Sequence, residues 1–381
     1  MKEAKAKGLD VPRFYFKGGL YMHMADALIS PAVGGTMLAV TAGAVAYSIK
    51  KTKHDMDEKK IPLMGVMGAF VFAAQMINFS IPGTGSSGHL GGGMLLAILL
   101  GPYAGFLTMA SILLIQAMFF GDGGLLAFGC NVFNLGFFTC FISYPYIYKW
   151  LTRKGINSKR IFWASMISSL IGLQMGSFSV VIETLLSGKT ELPFGTFVLL
   201  MQPIHLAIGV VEGLVTAAVV TFVWRERPEI IERADDGGGL GSISIKKVLT
   251  VLSIATIIVG GALSWFASSN PDGLEWSIEK TAGTAELEAH GDIYDTLSKI
   301  QQKTAFLPDY GFRARENENE KEADGDEAEG AWPDVNLGTS VSGIVGGVLT
   351  LAFAVFIGLM IGIVKKESKM RRLKISKRQG V

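Results

Sequence analysis

Long apolar runs constrain this chain more than any other feature of its sequence. A helix that crosses a membrane needs about 20 mostly apolar residues, because the hydrocarbon core is about 30 Å thick and offers the backbone no hydrogen-bond partners. Predicted spans lie at about 30–49, 62–79, 125–148, 161–185, 196–224, 247–266 and 338–364, and a further apolar run covers 91–119. The sequence therefore predicts an all-α, polytopic membrane protein.

The composition agrees with that class and argues against others. Hydrophobic residues make up 49% of the chain and charged residues 18%, and the formal net charge is +2. These values are typical of a membrane protein. The charges are concentrated in short loops and one acidic stretch, so we expect no nucleic-acid binding.

Clusters of lysine and arginine predict how the spans are oriented. They lie within 50–60, 149–160, 225–233 and 365–378. Because lysine and arginine are enriched in cytoplasmic loops, we assign all four clusters to the cytoplasm. The chain would then begin outside the cell and end inside it.

The apolar run 91–119 must cross the membrane twice for this orientation to be consistent. Gly101-Pro102 interrupts the run, and proline lacks the backbone donor that a continuing helix requires. We therefore predict two short helices, at about 88–100 and 103–120. Seven helices then form a core, and two C-terminal helices flank an external segment at about 267–337.

The external segment contains an acidic run from Glu316 to Glu329 without apolar periodicity. Such a run predicts a disordered or solvated tether. The alternative is a weak acidic funnel that concentrates cations by electrostatic steering.

Two histidines fall on the predicted external side. His89 lies in a glycine-rich turn, where positive φ angles allow the backbone to fold tightly between helices. The spacing of Gly83 and Gly88 is like that of a phosphate-binding loop, but His89 stands where the essential lysine would be, which argues against nucleotide binding. His23 precedes the first span directly. For His205 and His290 we expect ordinary satisfied histidines.

The sequence before Met22 suggests that the native chain begins there. Residues 1–21 lack the apolar core of a signal peptide, and we expect them to be a non-native or disordered extension. Lys17-Gly18-Gly19 can be encoded by codons that resemble a bacterial ribosome-binding sequence. A Met22 amine, the His23 amide nitrogen and the His23 imidazole would then chelate a metal, with His89 as a fourth donor. A planar set of nitrogens suits Ni(II) or Cu(II), and Co(II) is possible.

Polar residues inside the predicted spans include Gln75, Gln116, Glu183 and Glu212. Intramembrane carboxylates usually face a partner or a pathway. Glu212 is accordingly expected to meet a partner subunit or the metal-binding loop, and the alternative is a hydrogen bond between helices.

The sequence around these residues resembles the CbiM/NikM family, the substrate-specific components of energy-coupling-factor transporters for cobalt and nickel. Met22-His23, Asn78-Phe79, Pro82-Gly83 and 87–90 carry the resemblance, which covers about 22–224. It implies that Met22, His23 and His89 hold the metal. Met24, Ala27 and Ser80 depart from the residues usual in the family. Candidate supporting or interface residues are Asp26, Asn78, Ser87 and Glu212.

A second resemblance covers the C-terminal part. The sequence Asn-Pro-Asp-Gly-Leu-Glu-Trp at 270–276, followed by Leu-Pro-Asp-Tyr at 307–310, resembles the PDGLE accessory domain, which is similar to the small N subunit. Fusion to this domain favours nickel as the substrate. The predicted division is an extension at 1–21, a metal-binding core at 22–224, a cytoplasmic linker at 225–246, an accessory domain at 247–364 and a basic tail at 365–381.

The resemblance implies a function in metal uptake. The chain would capture Ni²⁺ or Co²⁺ at the outer face of a prokaryotic inner membrane. A transmembrane coupling protein and cytoplasmic ATPases would be its partners, and these partners would use the ATP. The chain itself would be no enzyme and would hold no tightly bound cofactor. The alternative is a secondary metal transporter that acts alone, with Glu183 and Glu212 as its carrier site.

Overall fold

The structure is a computed structural model that describes most of the chain. The described residues are 22–55, 57, 59–188, 192–234, 240, 243–284, 287, 289–312, 333 and 335–378. The predicted extension at 1–21 and the acidic run from Glu316 to Glu329 lie outside them.

Helices dominate the described residues, which confirms the predicted all-α membrane class. They are α1 Pro31–Asp55, α2 Lys60–Gln75, α3 Gly93–Leu100, α4 Pro102–Ile115, α5 Phe128–Val132, α6 Lys149–Thr152, α7 Ser158–Ser187, α8 Phe194–Glu226, α9 Pro228–Glu232, α10 Lys246–Gly261, α11 Gly273–Ala282, α12 Asp292–Thr304 and α13 Leu337–Arg378. A π-helical turn, Gln116–Phe120, continues α4, and a π-helical segment, Phe133–Tyr148, joins α5 to α6.

Five helical stretches in the described part of the chain are long and apolar enough to cross a membrane. They are Pro31–Lys53, Pro102–Phe120, Ser158–Ser187, Phe194–Glu226 and Leu337–Glu367. The helices at the other predicted spans are shorter or are divided into pieces, as at 128–152, where π-helical backbone surrounds Pro145.

A short β-hairpin precedes α3 and was not expected from the sequence. Strand β1, Phe79–Ile81, pairs antiparallel with β2, Ser86–Gly88, and the turn between them contains two glycines with positive φ. The predicted helix at about 88–100 consequently begins only at Gly93. Gly92 has φ 76°, a left-handed conformation that does not continue into a right-handed helix.

The break between α3 and α4 falls where the sequence places it. Gly101 has φ 80°, and a Cβ at this position would collide with the carbonyl oxygen of Ala234. All 8 residues of α3 are buried. The loop from His89 to Gly92 therefore leads directly into the interior of the protein.

The described residues of the segment that is predicted to be external are folded against the core. Helix α11 packs on α8, and Trp276 donates a 3.1 Å hydrogen bond from Nε1 to the Thr84 carbonyl in the hairpin turn. Gln301 on α12 donates from Nε2 to the carbonyl oxygens of Ala117 and Gly123, at 2.9 and 2.7 Å. This segment covers both the hairpin and the turn that follows α4.

Candidate metal centre

His23 and His89 lie side by side although they are far apart in the sequence. Their ring centroids are 5.4 Å apart and the ring planes are at 82°. His23 is 5% exposed. Burial lowers the pKa of His23, partly offset by the nearby Asp122, so the imidazole is neutral near pH 7 and keeps a lone pair for a metal ion.

The backbone on the C-terminal side of His23 is held firmly. Met24 donates from its nitrogen to Asn131 Oδ1 at 3.0 Å, and Asn131 Nδ2 donates to the Met24 carbonyl at 3.1 Å. Gly124 donates to the same carbonyl at 2.9 Å. These bonds fix the segment that presents His23.

Asp26 also holds this segment in place. Its Oδ1 accepts a 2.9 Å hydrogen bond from the nitrogen of Ala127, just before α5. A Cβ at Gly124 would collide with the Asp26 carboxyl, so the close approach requires glycine there. The structure thus places Asp26 as an anchor of the backbone.

Met22 is 6% exposed and is bound by a carboxylate that the sequence did not single out. Its nitrogen donates a 3.0 Å hydrogen bond to Asp122 Oδ1. Asp122 Oδ2 accepts a 2.6 Å hydrogen bond from the Tyr310 hydroxyl and lies 3.8 Å from His23 Nε2. The sequence signal that could have identified Asp122 is the glycine-rich stretch 121–124 after an apolar helix, because it indicates a tight turn around one acidic residue.

Both ring nitrogens of His89 lie close to backbone carbonyl oxygens. Nδ1 is 3.2 Å from the carbonyl oxygen of Leu90, and Nε2 is 3.0 Å from that of Met22. A neutral imidazole carries one proton, so only one of these two carbonyl oxygens can accept a hydrogen bond from His89 at a time. His89 Nε2 is also 3.7 Å from Asp272 Oδ2 in the accessory segment.

Asp272 links the accessory segment to this centre. Its Oδ1 caps α11 by accepting from the nitrogens of Leu274 and Glu275, at 2.9 and 2.8 Å. Burial raises the pKa of Asp272. The Pro-Asp-Gly turn therefore both starts α11 and brings a carboxyl group beside His89.

The remaining candidate residues surround the loop rather than the imidazoles. Glu212 on α8 accepts from the nitrogens of Gly91 and Gly92, at 3.0 and 3.2 Å. Ser87 donates from its nitrogen to the Pro271 carbonyl at 2.8 Å, so it contacts the accessory segment. Asn78 is buried, and its Oδ1 has no hydrogen-bond partner among the described residues.

A cavity of about 70 Å³ lies beside the two histidines. Its lining includes His23, His89, Asp272, Met24, Asn134 and His205. His205 Nδ1 is 2.8 Å from the carbonyl oxygen of Met201, one turn earlier on α8. His290 is exposed on the accessory segment, away from this cavity.

Among the described residues, a metal site built from side chains alone is not found. Within the described ranges, no group of three or more His, Cys, Asp or Glu side chains is placed to hold a metal ion. The structure instead brings the His23 and His89 imidazoles together beside the Met22 backbone. Such a set is rich in nitrogen, which Ni(II) and Co(II) accept readily.

Comparisons with known proteins cover both parts of the chain. Residues 23–230 match the CbiM family model, described as a cobalt uptake substrate-specific transmembrane region, and residues 246–362 match the PDGLE domain. A protein of Archaeoglobus fulgidus, provisionally named fused nickel transport protein NikMN, is 31% identical over 87% of this chain and 96% of its own length. The fused nickel transport protein NikMN of Rhodobacter capsulatus is 32% identical over 55% of this chain and 64% of its own length. A crystal structure of a transition metal transporter is 30% identical, covers 56% of this chain and 96% of that one, and has a TM-score of 0.49.

Proposed function

The chain belongs to the CbiM family of cobalt and nickel transport components, fused to a PDGLE domain, and we propose that it captures Ni²⁺ or Co²⁺ at the outer face of a prokaryotic inner membrane. The single observation that carries this proposal is the contact between the His23 and His89 rings beside the Met22 backbone. Met22, His23 and His89 line one cavity together with residues of α7 and α8.

The proposed ligands are nitrogens of Met22, His23 and His89. The His23 imidazole and the His23 backbone nitrogen belong to one residue, so a metal ion bound to both closes a chelate ring. His89 adds a second imidazole from the loop that Glu212 holds. If the native chain begins at Met22, its terminal amine is the remaining donor.

Asp122 supports this ligand set without belonging to it. It accepts a hydrogen bond from the Met22 nitrogen and therefore determines where that nitrogen points. Its negative charge also favours a divalent cation nearby. Asp26 and Asn131 hold the neighbouring backbone through hydrogen bonds with Ala127 and Met24.

Nickel is the favoured substrate. Two relatives described above are named as fused nickel transport proteins, and this chain joins a CbiM region to a PDGLE domain. Cobalt remains the second substrate of the proposal, since the family description concerns cobalt uptake.

Transport would depend on other chains. We propose a transmembrane coupling protein and cytoplasmic ATPases as partners, with the external N-terminal side loading the ion and the basic C-terminal tail in the cytoplasm. The chain would catalyse no reaction and would hold no resident cofactor. Its role is to bind the ion and to change orientation when the partners hydrolyse ATP.

The stand-alone secondary transporter is the weaker alternative. Glu212 accepts from two backbone nitrogens of the loop, and Glu183 accepts from Asn134 Nδ2 at 2.7 Å. Both carboxylates are thus occupied by contacts within the chain. Radioactive nickel uptake by cells that express this chain with and without the coupling protein and ATPases separates the two functions. Uptake that persists without the partners would support the secondary transporter.

A further inference from the structure

A chain of hydrogen bonds runs through two buried glutamines to His23. Gln75 Nε2 donates to the Gly91 carbonyl at 2.9 Å, and Gln116 Nε2 donates to Gln75 Oε1 at 3.0 Å. Gln116 Oε1 lies 3.0 Å from His23 Nε2. Both glutamines are fully buried. We refer to Gly91, Gln75, Gln116 and His23 as the amide relay.

The direction of the amide relay follows from its first member. A backbone carbonyl can only accept, so Gln75 must present its NH₂ group to Gly91 and its oxygen to Gln116. Gln116 must then present its NH₂ group to Gln75 and its oxygen to His23. Because an amide oxygen only accepts, the proton of the neutral His23 ring must reside on Nε2.

A proton on Nε2 leaves the lone pair of His23 on Nδ1. Nδ1 is the ring nitrogen closer to the backbone, and it closes a six-membered ring with a metal ion bound to the nitrogen of the same residue. Nε2 cannot close such a ring, because it lies on the far side of the imidazole. The structure assigns Gln75 and Gln116 as positioning residues that hold His23 in the tautomer required for chelation.

The amide relay is anchored in the helix bundle rather than in a flexible loop. The nitrogen of Gly92, which belongs to the same peptide group as the Gly91 carbonyl, donates to Glu212 Oε1 at 3.2 Å and so fixes the peptide group at the start of the relay. Gln75 ends α2, and Gln116 starts the π-helical turn after α4. Three helices therefore determine which nitrogen of His23 is available.

Hydrogen bonds behind a ligating histidine fix its tautomer and orientation, and losing one typically lowers metal affinity by about 10–100-fold. This inference rests on the proposed function for the identity of the ion. The tautomer itself is a property of the metal-free protein. The tautomer of His23 and the identity of the bound ion can therefore be tested separately.

The test uses the full chain labelled with ¹⁵N-histidine, free of metal, in detergent micelles near neutral pH. The His23 signals, identified by their loss in His23→Ala, should show a protonated Nε2 and an unprotonated Nδ1. Gln116→Leu removes the acceptor and should give a mixture of tautomers. Gln116→Glu keeps an acceptor of similar size and should retain the proton on Nε2.

Nickel titration of the same proteins completes the test. Gln116→Leu should lose about 10–100-fold in affinity, and Gln75→Leu should change it in the same direction. Gln174→Leu is the matched control, because Gln174 is a membrane glutamine that bonds Gln202 on the neighbouring helix. It should leave the affinity unchanged.

A proton on His23 Nδ1 in the unaltered protein would overturn the inference, whatever the variants do. Unchanged nickel affinity in Gln116→Leu, with His23→Ala inactive in binding, would also overturn it but leave the proposed function standing. Absence of nickel and cobalt binding by the unaltered protein would contradict the proposed function instead, while the tautomer could still be read from the metal-free spectra.

Discussion

The Tyr310 hydroxyl donates a 2.6 Å hydrogen bond to Asp122 Oδ2, while Asp122 Oδ1 accepts a 3.0 Å hydrogen bond from the nitrogen of Met22. Burial and the charge of Asp122 raise the pKa of Tyr310 well above its usual value, so the hydroxyl keeps its proton at neutral pH. Asp309 and Tyr310 have φ angles of 51° and 57°, a conformation that costs about 1–3 kcal/mol for residues other than glycine. The accessory segment thus adopts an unfavourable backbone conformation at the point where Tyr310 reaches Asp122.

Tyr310→Phe should therefore weaken nickel binding by about tenfold or more. A hydrogen bond to a charged group contributes about 1.5–3 kcal/mol, and 1.4 kcal/mol corresponds to tenfold in affinity. Tyr294→Phe is the matched control, since the Tyr294 hydroxyl donates to the Ile29 carbonyl at 2.7 Å instead. Calorimetric titration of both variants with nickel measures the two affinities. Equal affinities in the two would show that Tyr310 serves only the folding of the segment.

Glu212→Gln should also lower nickel affinity, by about tenfold. The carboxylate accepts from both Gly91 and Gly92, and a glutamine NH₂ group would face one of those donors. A single hydrogen bond to a charged acceptor is strong enough for this effect. Glu226→Gln, at the other end of α8, removes only a partly exposed ion pair with Lys247 and should change little. Impaired transport with unchanged nickel affinity would instead indicate that Glu212 lies at an interface with a partner subunit.

Asp272→Asn should stabilise the metal-free protein at high pH but not at low pH. Burial raises the pKa of Asp272 from 3.8 to about 7. Between these values the folded state binds more protons at this carboxyl than the unfolded chain does, so stability falls as the pH rises. Asparagine keeps the cap of α11 and abolishes that loss.

Thermal unfolding in detergent, at pH 5 and pH 8 with a chelator present, measures this effect. The increase in unfolding temperature of Asp272→Asn over the unaltered protein should be larger at pH 8 than at pH 5. Asp292→Asn changes an exposed carboxylate of the same segment and serves as the control. A larger gain at pH 5 would contradict the assignment.

A protein that begins at Met22 should bind nickel more tightly than the full chain. A terminal amine, with a pKa of about 8, is a good donor near neutral pH, whereas an amide nitrogen must first lose its proton to the metal. The experiment is a parallel titration of both proteins, with mass analysis of each N-terminus. Equal affinities with residues 1–21 intact would leave the His23 and His89 side chains to hold the ion.

The sequence alone could predict the membrane class and could single out His23 and His89, which the structure brings into contact. Apolar runs of helical length are a direct consequence of the bilayer, and Gly101-Pro102 interrupts one of them at the position where the structure has its break. Met22-His23 and His89 stand out because few histidines occur in the chain and these two flank predicted spans.

The partners of those histidines could not be predicted in the same way. Gln75, Gln116 and Asp122 reach His23 and Met22 only through contacts between helices, and no periodicity in a sequence reports such contacts. The hairpin was missed because each strand has only three residues and β2 consists of serine and glycine, which have little preference for strands.

The central claim is that nitrogens of His23 and His89 hold the transported ion, and nickel titration of three histidine variants tests it most directly. The unaltered full chain and His290→Ala, which changes an exposed histidine of the accessory segment, should bind nickel stoichiometrically with the same affinity. His23→Ala and His89→Ala should remain folded and lose that binding. Stoichiometric nickel binding of unchanged affinity in either of these two variants would contradict the claim.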